Sequence, residues 1–183
     1  MTSPNLSTMR RTDRRWVIEV IAGPNMKHLG KRDTRLFGAI ESFSALESLV
    51  AEFGAALNVE VRTFVSDYEG EILERVHASA ATADGYIVDP GGLATVSQGW
   101  PHALLETRKP VVEVTFYNPV ANNEHSVFTK TAIGRVMGLR EHSYTAALLA
   151  LVLSLDDESF LNPEAPASDT KRQDGTPYSF RLG

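Results

Sequence analysis

The stretch Trp16–Gly38, WVIEVIAGPNMKHLGKRDTRLFG, holds the first strand of the fold and the loop that follows it. Residues 16–23 are mostly apolar and rich in Val and Ile, which is typical of a strand buried on both faces. Gly-Pro-Asn ends the apolar run, and a glycine-punctuated loop dense in Lys and Arg comes next. Because loops that follow parallel strands commonly bind ligands, this stretch predicts a buried strand that leads into a binding site.

Apolar runs and helical patterns alternate along the rest of the chain. Further strands are predicted within 58–66, 85–92, 109–118 and 129–139. Helices are predicted at 42–57, 70–83, 97–107 and 143–155. This alternation predicts an α/β fold with a five-stranded, mainly parallel sheet and helices on both of its faces.

The chain is predicted to form one folded domain with an extension at each end. Its 183 residues suffice for one sizeable core, whereas two domains would be cramped. Residues 1–15 predict a flexible leader, 16–157 the α/β domain, and the Pro- and Ser-rich 158–183 a C-terminal extension. The Arg cluster at 10–15 is expected to be solvated, and a basic binding arm is the alternative.

Composition excludes several classes of protein. The formal net charge of -5 argues against a nucleic-acid-binding surface, and no apolar run approaches the ~20 residues that span a bilayer. No secretory signal is found in residues 1–15. Cys is absent, which removes disulfides, thiolate nucleophiles and thiolate metal sites. We therefore expect a cytoplasmic protein that binds neither nucleic acid nor a membrane.

Polar clusters follow the predicted strands, one after each of the first four. They are residues 23–38, 65–71, 89–97 and 115–126. The carboxyl ends of parallel strands meet at one edge of the sheet, so four loops are expected to converge there. The sequence thereby predicts a ligand site at this edge before any motif is considered.

Five segments of the chain resemble type II 3-dehydroquinate dehydratases in sequence, order and spacing. The segments are GPNMKHLGKRDTRLFG (23–38), SDYEGEILERVH (66–77), YIVDPGG (86–92), VVEVTFYN (111–118) and GRVMGLREHSYTAALLAL (134–151). Together they cover about residues 16–155. The resemblance implies a flavodoxin-like fold, a homo-oligomer built from trimers that reaches a dodecamer, and an active site without cofactor or metal.

The resemblance also implies a chemistry that this chain cannot perform with the same groups. In that family a tyrosinate removes a proton next to a ketone, and a histidine then protonates the leaving hydroxyl. The matching loop, 30–38, keeps the family's arginine as Arg32 but has Phe37 in place of the tyrosine. A phenyl ring cannot act as a general base at any pH.

Other family positions are exchanged as well. Asp89 replaces an asparagine, and Thr95 and Thr115 stand where the family has histidines. The family's arginines fall at about Asn122 and Ser126. The base and the substrate-binding cations change together, so the sequence predicts a retained scaffold with a rebuilt active site.

Two further family positions concern the neighbouring subunit and the fourth strand. His102 aligns with a family carboxylate that is contributed across a subunit contact, and a solvent-facing histidine early in a helix is the favoured alternative. Glu113 and Asn118 are retained.

Asp89 is the first candidate for a new base. It ends a buried strand, where a carboxylate is unfavourable unless it is paired or hydrogen-bonded. A raised pKa would suit it to act as a general base or as a nucleophile. The alternative is a structural Asp that accepts backbone N–H groups of the turn at 90–92.

Candidate acid or base groups also lie in the loop after the fourth strand. His125 and Glu124 are the candidates there, since histidine exchanges protons near neutral pH; a solvated loop histidine is the alternative. Arg32 is a further catalytic candidate, which could meet a negative group of the substrate or, together with water, replace the tyrosinate. Asp89, His125, Glu124 and His102 lack the spacing typical of metal ligands, and no metal or cofactor is expected.

The remaining candidates are expected to bind substrate. Backbone N–H groups at 115–117 suit a carboxylate, whatever side chains stand there, and the Tyr117 phenol is a second-line acid or base unless its hydroxyl lies in water. The full set predicted to bind substrate is Asn25, Phe37, Gly91, Thr95, Thr115, Phe116, Tyr117, Asn118 and His102.

The sequence therefore favours an enzyme that acts on a small polar, anionic molecule by carboxylate or imidazole acid–base chemistry. Elimination, hydration, isomerisation and hydrolysis all stay open. One alternative is an orthodox 3-dehydroquinate dehydratase, and another is a non-catalytic ligand-binding or scaffold protein.

Overall fold

A five-stranded parallel sheet forms the centre of the protein. The computed structural model describes residues 6–161. The strands are β1 Val17–Ala22, β2 Glu60–Val65, β3 Gly85–Asp89, β4 Val111–Thr115 and β5 Gly134–Met137. All neighbours are parallel, in the order β2-β1-β3-β4-β5. The α/β, flavodoxin-like fold predicted from the sequence is confirmed.

Helices cover both faces of this sheet. They are α1 Thr34–Phe37, α2 Phe43–Ala56, α3 Glu69–Ser79, α4 Gly99–Thr107, α5 His142–Leu155 and α6 Glu158–Leu161. The side chains of α2 and α5 bury one apolar cluster against the sheet, and those of α3 and α4 bury a second on the opposite face. Within residues 6–161, no helix has both the length and the apolar character needed to cross a membrane.

The order of the strands determines where the loops meet. The chain leaves β1 toward β2 on one side, then returns to place β3 on the other side of β1. Ala22 and Asp89 are opposite each other at the carboxyl ends of β1 and β3. The loops after these strands therefore begin side by side, at the point where ligands bind in doubly wound sheets.

Several boundaries differ from the sequence expectation for local reasons. The third helix ends at Ser79 instead of 83, where the bonds shift to i−3 spacing: Ala80 N–H donates to the His77 carbonyl and Thr82 N–H to the Ser79 carbonyl. The fifth strand is limited to Gly134–Met137, since a 3₁₀ turn occupies Val127–Lys130. The loop after β1 contains the short helix α1, which Asp33 caps by accepting the Arg35 N–H at 2.9 Å.

In the Arg cluster at 10–15, Arg11, Arg14 and Arg15 are exposed as expected, whereas Arg10 is packed. The Arg10 side chain is only 2% exposed and pairs with Asp156 at 2.8 Å. Trp16 Nε1 donates to the same carboxylate at 2.7 Å. Residues 1–5 and 162–183 lie outside the described part, and the division into leader, domain and C-terminal extension stays a prediction.

Candidate active site

A cavity of about 140 Å³ opens at the carboxyl edge of the sheet, between the loops after β1, β3 and β4. It brings together most of the residues predicted for the site. Those that line it are Asn25, Arg32, Phe37, Asp89, Gly91, Thr95, Thr115, Phe116, Tyr117, Glu124 and His125.

Two predicted residues lie outside this cavity. Asn118 is exposed, and its Oδ1 accepts the Val120 N–H at 3.1 Å, so its side chain caps a 3₁₀ turn. His102 is exposed on α4. A contact between His102 and the site of a neighbouring subunit stays a prediction.

Glycines let the loops after β1 and β3 touch. Gly23 N–H donates to the Asp89 carbonyl at 2.8 Å, and Gly92 N–H donates to the Pro24 carbonyl at 3.2 Å. A Cβ on Gly23 would lie 2.3 Å from the Pro90 carbonyl oxygen, which forbids any side chain. Gly91 adopts φ +52°, a conformation that favours glycine. These contacts hold the two polar loops as one wall of the cavity.

Asp89 ends β3 beneath the cavity and is 3% exposed. One carboxylate oxygen accepts the Gly91 N–H at 3.1 Å and the other accepts the Tyr144 hydroxyl at 2.9 Å. Both donors are neutral, so burial prevails and raises the pKa of Asp89 to about 6. The turn-capping alternative accounts for only one of its two bonds.

Tyr144 is the residue of the site that sequence reasoning missed. It lies in the first turn of α5, fully buried, and its ring meets Phe116 edge-on with 5.5 Å between centroids. Burial and the neighbouring Asp89 raise the pKa of Tyr144 well above its usual value, so its hydroxyl keeps its proton and donates. The signal was a tyrosine on the core face of an apolar helix, where a hydroxyl needs a partner.

Arg32 and Phe37 form the side of the cavity contributed by the loop after β1. The Arg32 guanidinium stacks 3.6 Å from the centroid of the Phe37 ring. Phe37 is 6% exposed and packs against Phe116 and Tyr117, with ring centroids 5.7 and 6.1 Å away. Burial lowers the pKa of Arg32, and the nearby Asp89 charge partly offsets this. Phe37 thus serves as a platform for a cation.

Tyr117 and Glu124 form the opposite side. The Tyr117 hydroxyl donates to Glu124 Oε2 at 2.7 Å instead of lying in water. Burial and the Glu124 carboxylate raise the pKa of Tyr117 to about 12. A phenol with this pKa stays protonated at neutral pH, so Tyr117 is excluded as a general base there. His125, next to Glu124, lines the cavity and is exposed to solvent.

Polar side chains from β4 and β5 complete the lining. Glu113 is 1% exposed and its Oε2 lies 2.8 Å from Arg135 Nε, so the two charges offset each other. Burial raises the pKa of Glu113. Thr115 donates its hydroxyl to the Tyr117 carbonyl at 3.0 Å, which fixes the loop after β4. Sequence reasoning noted Glu113 as retained and did not place it in the site, because a pair across two strands leaves no local pattern.

The arrangement suits proton transfer next to a bound anion. A buried carboxylate of raised pKa, a half-buried guanidinium and an exposed imidazole line one cavity. In the part of the chain that the structure describes, no group of three or more His, Asp or Glu side chains is placed to hold a metal ion.

Known proteins resemble this chain over the same region. Residues 16–152 match the family model described as "Dehydroquinase class II". The "3-dehydroquinate dehydratase" of Halothermothrix orenii is 34% identical over 138 residues, which are 74% of this chain and 93% of that protein. The "Catabolic 3-dehydroquinase" of Verticillium alfalfae is 34% identical over 137 residues, 72% of this chain and 89% of that protein.

A solved structure agrees with these sequence matches. The crystal structure of type II dehydroquinase from Propionibacterium acnes superposes with a TM-score of 0.71 and 26% identity, covering 76% of this chain and 99% of that one. The matched region coincides with the segments on which the sequence resemblance rested. The chain belongs to the class II dehydroquinase family.

Proposed function

We propose that the protein is a lyase that removes water from a small cyclic acid bearing a hydroxyl β to a ketone, and that Asp89 takes the proton. The substrate to test first is 3-dehydroquinate, because the relatives take their names from it. The observation that carries the role of Asp89 is its burial in the cavity with a pKa of about 6.

Of the two enzyme hypotheses, we now rank the 3-dehydroquinate dehydratase above an enzyme with a different substrate. From the sequence alone, a different substrate ranked above 3-dehydroquinate. This chain matches 93% and 89% of the length of two relatives named for 3-dehydroquinate. These matches support dehydration of 3-dehydroquinate as the first hypothesis. The replacement of the family's tyrosine by Phe37 still requires another base, so the rebuilt proton transfer is part of the proposal.

The proposed reaction breaks one C–H and one C–O bond. Asp89 takes the proton next to the ketone, and the electron pair moves toward the ketone oxygen as an enolate. The enolate then expels the β-hydroxyl, which leaves as water with a proton from His125. The products are an enone and water, and solvent exchange returns the proton from Asp89 to His125. Arg32 stabilises the negative charge of the bound acid or of the enolate.

The pH dependence follows from the Asp89 carboxyl. A group with a pKa of about 6 is mostly ionised at pH 7, and it is a stronger base than an ordinary Asp at 3.8. We expect kcat/KM to rise with pH through about 6, as Asp89 loses its proton. A profile that stays flat between about pH 5 and 7 would contradict a base with this pKa.

The direct test follows enone absorbance with 3-dehydroquinate as substrate. Asp89→Asn removes the base, so kcat should fall by about 10²–10⁴-fold. Asp13→Asn is the matched control, because Asp13 is exposed and precedes the amino end of β1, whereas the cavity lies at the carboxyl edge of the sheet. Full turnover by Asp89→Asn would reject Asp89 as the base.

A second variant tests whether proton transfer in this protein is limited by the absence of a phenol at position 37. Phe37→Tyr restores the hydroxyl that the family resemblance places in this loop. If Asp89 already moves the proton, the added hydroxyl should leave kcat close to that of the parent protein. A large gain in kcat would mean that the parent chain lacks a working base.

A different substrate remains the second candidate, and one observation favours it. Asn122 and Ser126 stand where the resemblance places substrate-binding arginines, so this cavity carries fewer cations than that site. Absent turnover of 3-dehydroquinate together with saturable binding of other small acids would support this candidate. Absent binding of any such acid would support the non-catalytic scaffold.

We also infer a homo-oligomer built from trimers, in the cytoplasm, on the strength of the family resemblance. Light scattering during size-exclusion chromatography measures the mass directly. A monomer of 20.1 kDa would contradict this inference.

A further inference from the structure

The cavity has a cation at one end of an aromatic wall and a carboxylate at the other. Arg32 stacks on Phe37, Phe37 meets Tyr117 edge-on, and the Tyr117 hydroxyl bonds to Glu124. The three contacts run in sequence along one side of the lining. Arg32 and Glu124 are therefore separated by two rings and do not pair with each other.

The Arg32 charge is available to a ligand. Among residues 6–161, no carboxylate lies within 4.0 Å of its guanidinium. Its contacts are the Phe37 ring and the Met26 sulfur, which accepts from Nη1 at 3.7 Å. A half-buried guanidinium that lacks an anion binds a carboxylate strongly, because it gives up little water in doing so.

Glu124 is the counterpart at the other end. Its carboxylate accepts from the Tyr117 hydroxyl, and within the described chain no Lys or Arg pairs with it. The neutral phenol fixes one oxygen and leaves the negative charge in place. Glu124 can therefore accept a further hydrogen bond from a donor in the cavity, and a cationic donor gains most.

The other charges of the lining are already satisfied or lie deeper. Glu113 and Arg135 offset each other at 2.8 Å. Asp89 lies beneath the cavity with both oxygens hydrogen-bonded. His125 is the remaining ionisable group of the lining, and it is exposed to solvent.

We infer that this cavity prefers a small-ring carboxylic acid that also carries an amine, with the carboxylate on Arg32 and the ammonium on Glu124. The inference rests on the proposed function only in taking this cavity as the substrate site. Among cyclic acids, those with an amine at the Glu124 end should bind more tightly than 3-dehydroquinate, which carries none.

The test measures binding of three unreactive probes at pH 8 by calorimetry. They are cyclohexanecarboxylate, 4-hydroxycyclohexanecarboxylate and 4-aminocyclohexanecarboxylate, each in both ring isomers where these exist. All three share the carboxylate and the ring, so they differ only at the Glu124 end. We expect the amino acid to bind about tenfold more tightly than the hydroxy acid, since an ammonium and the Glu124 carboxylate are both charged, whereas a hydroxyl gives a hydrogen bond with only one charged partner.

Variants assign the preference to its residues. Glu124→Gln keeps an oxygen for the Tyr117 hydroxyl and removes the charge, so the amine should lose its advantage, the hydroxy acid should weaken less, and cyclohexanecarboxylate should bind as before. Glu124→Asp keeps the charge and should retain part of the preference. Glu52→Gln is the matched control, because it removes one exposed carboxylate of α2 and should leave all three affinities unchanged. Arg32→Gln should weaken all three probes.

The outcomes separate this inference from the proposed function. Equal affinity for the hydroxy and amino probes, or a preference that survives Glu124→Gln, would overturn the zwitterion inference. Neither result bears on whether Asp89 dehydrates a substrate. Conversely, a protein without enone formation that still prefers the amino probe through Glu124 would keep this inference and lose the proposed reaction.

Discussion

Two aspartates at opposite ends of the sheet lie in comparable burial and have opposite acidities. Asp89, 3% exposed, follows the carboxyl end of β3, and Asp156, 6% exposed, follows the end of α5. Burial opposes ionisation at both. At Asp156 the bonds from Arg10, Trp16 and the chain at 11–12 prevail and hold its pKa far below the usual 3.8. At Asp89 burial prevails, and its pKa rises to about 6.

The donors to the two carboxylates differ in charge. Asp156 faces the Arg10 guanidinium at 2.8 Å through two nitrogens, whereas both donors to Asp89 are neutral. The guanidinium closest to the Asp89 site, Arg32, stacks on a ring instead of pairing with it. A buried carboxylate that a cation fully pairs is fixed in place and structural, and one held by neutral donors retains a usable basicity.

The largest effect is expected from the paired aspartate. Asp156→Asn leaves the Arg10 guanidinium, 2% exposed, without its counter-charge, and should reduce the free energy of unfolding by about 3–5 kcal/mol. Urea unfolding at pH 7 measures this. Asp157→Asn is the control, because its partner Arg11 is 69% exposed and such pairs contribute about 1 kcal/mol or less. A loss below about 1 kcal/mol for Asp156→Asn would end the contrast between the two sites.

The next effect concerns how stability depends on pH. Because the pKa of Asp89 is raised, from 3.8 to about 6, the folded protein holds this proton more tightly than the unfolded chain does. The Asp89 contribution to stability is therefore fully present below about pH 4 and is lost as pH rises toward about 6, by about 3 kcal/mol. Asp156 has the opposite effect because its pKa is lowered. Its contribution to stability is present above pH 3.8, the usual pKa of an aspartate, and is lost as the pH falls below that value.

This second prediction is measured by urea unfolding across that window in the parent protein and in Asp89→Asn. The difference between the two curves isolates Asp89 from Glu19 and Glu113, whose pKa values burial also raises. Parallel curves for the two proteins between about pH 4 and 6 would mean that Asp89 titrates normally.

The smallest effect sharpens the role of the neutral donor. Tyr144→Phe removes one of the two hydrogen bonds to the Asp89 carboxylate, so the pKa of Asp89 should rise by about one further unit. Carbon-13 NMR of the aspartate carboxyls reports this without any assay of turnover. The acid limb of kcat/KM should shift upward by the same amount.

Tyr86→Phe is the matched control for the loss of a buried hydroxyl. Tyr86 is fully buried on the other face of the sheet, where its hydroxyl meets Ser79 at 3.0 Å. The variant should leave the Asp89 titration unchanged. An unaltered titration in Tyr144→Phe as well would remove Tyr144 as a positioning residue.

Most of the fold follows from sequence periodicity. All five strands and the four long helices lie where apolar runs and helical spacing predicted them, because burial on two faces of a parallel sheet imposes those patterns. The short helix α1 was not predicted from the sequence, because its four residues are too few to show helical periodicity. In α5 the buried stripe includes Leu148 and Leu151, and Leu149 is only partly buried.

What the sequence by itself determined is the scaffold and the edge of the sheet at which the loops converge. Only the tertiary structure decided which carboxylate is neutralised by a cation and which is not. Asp156 meets Arg10 across 146 positions, and Asp89 meets Tyr144 across 55. Hydrogen-bond partners at such separations depend on how the elements pack, and no periodicity within a single element encodes them.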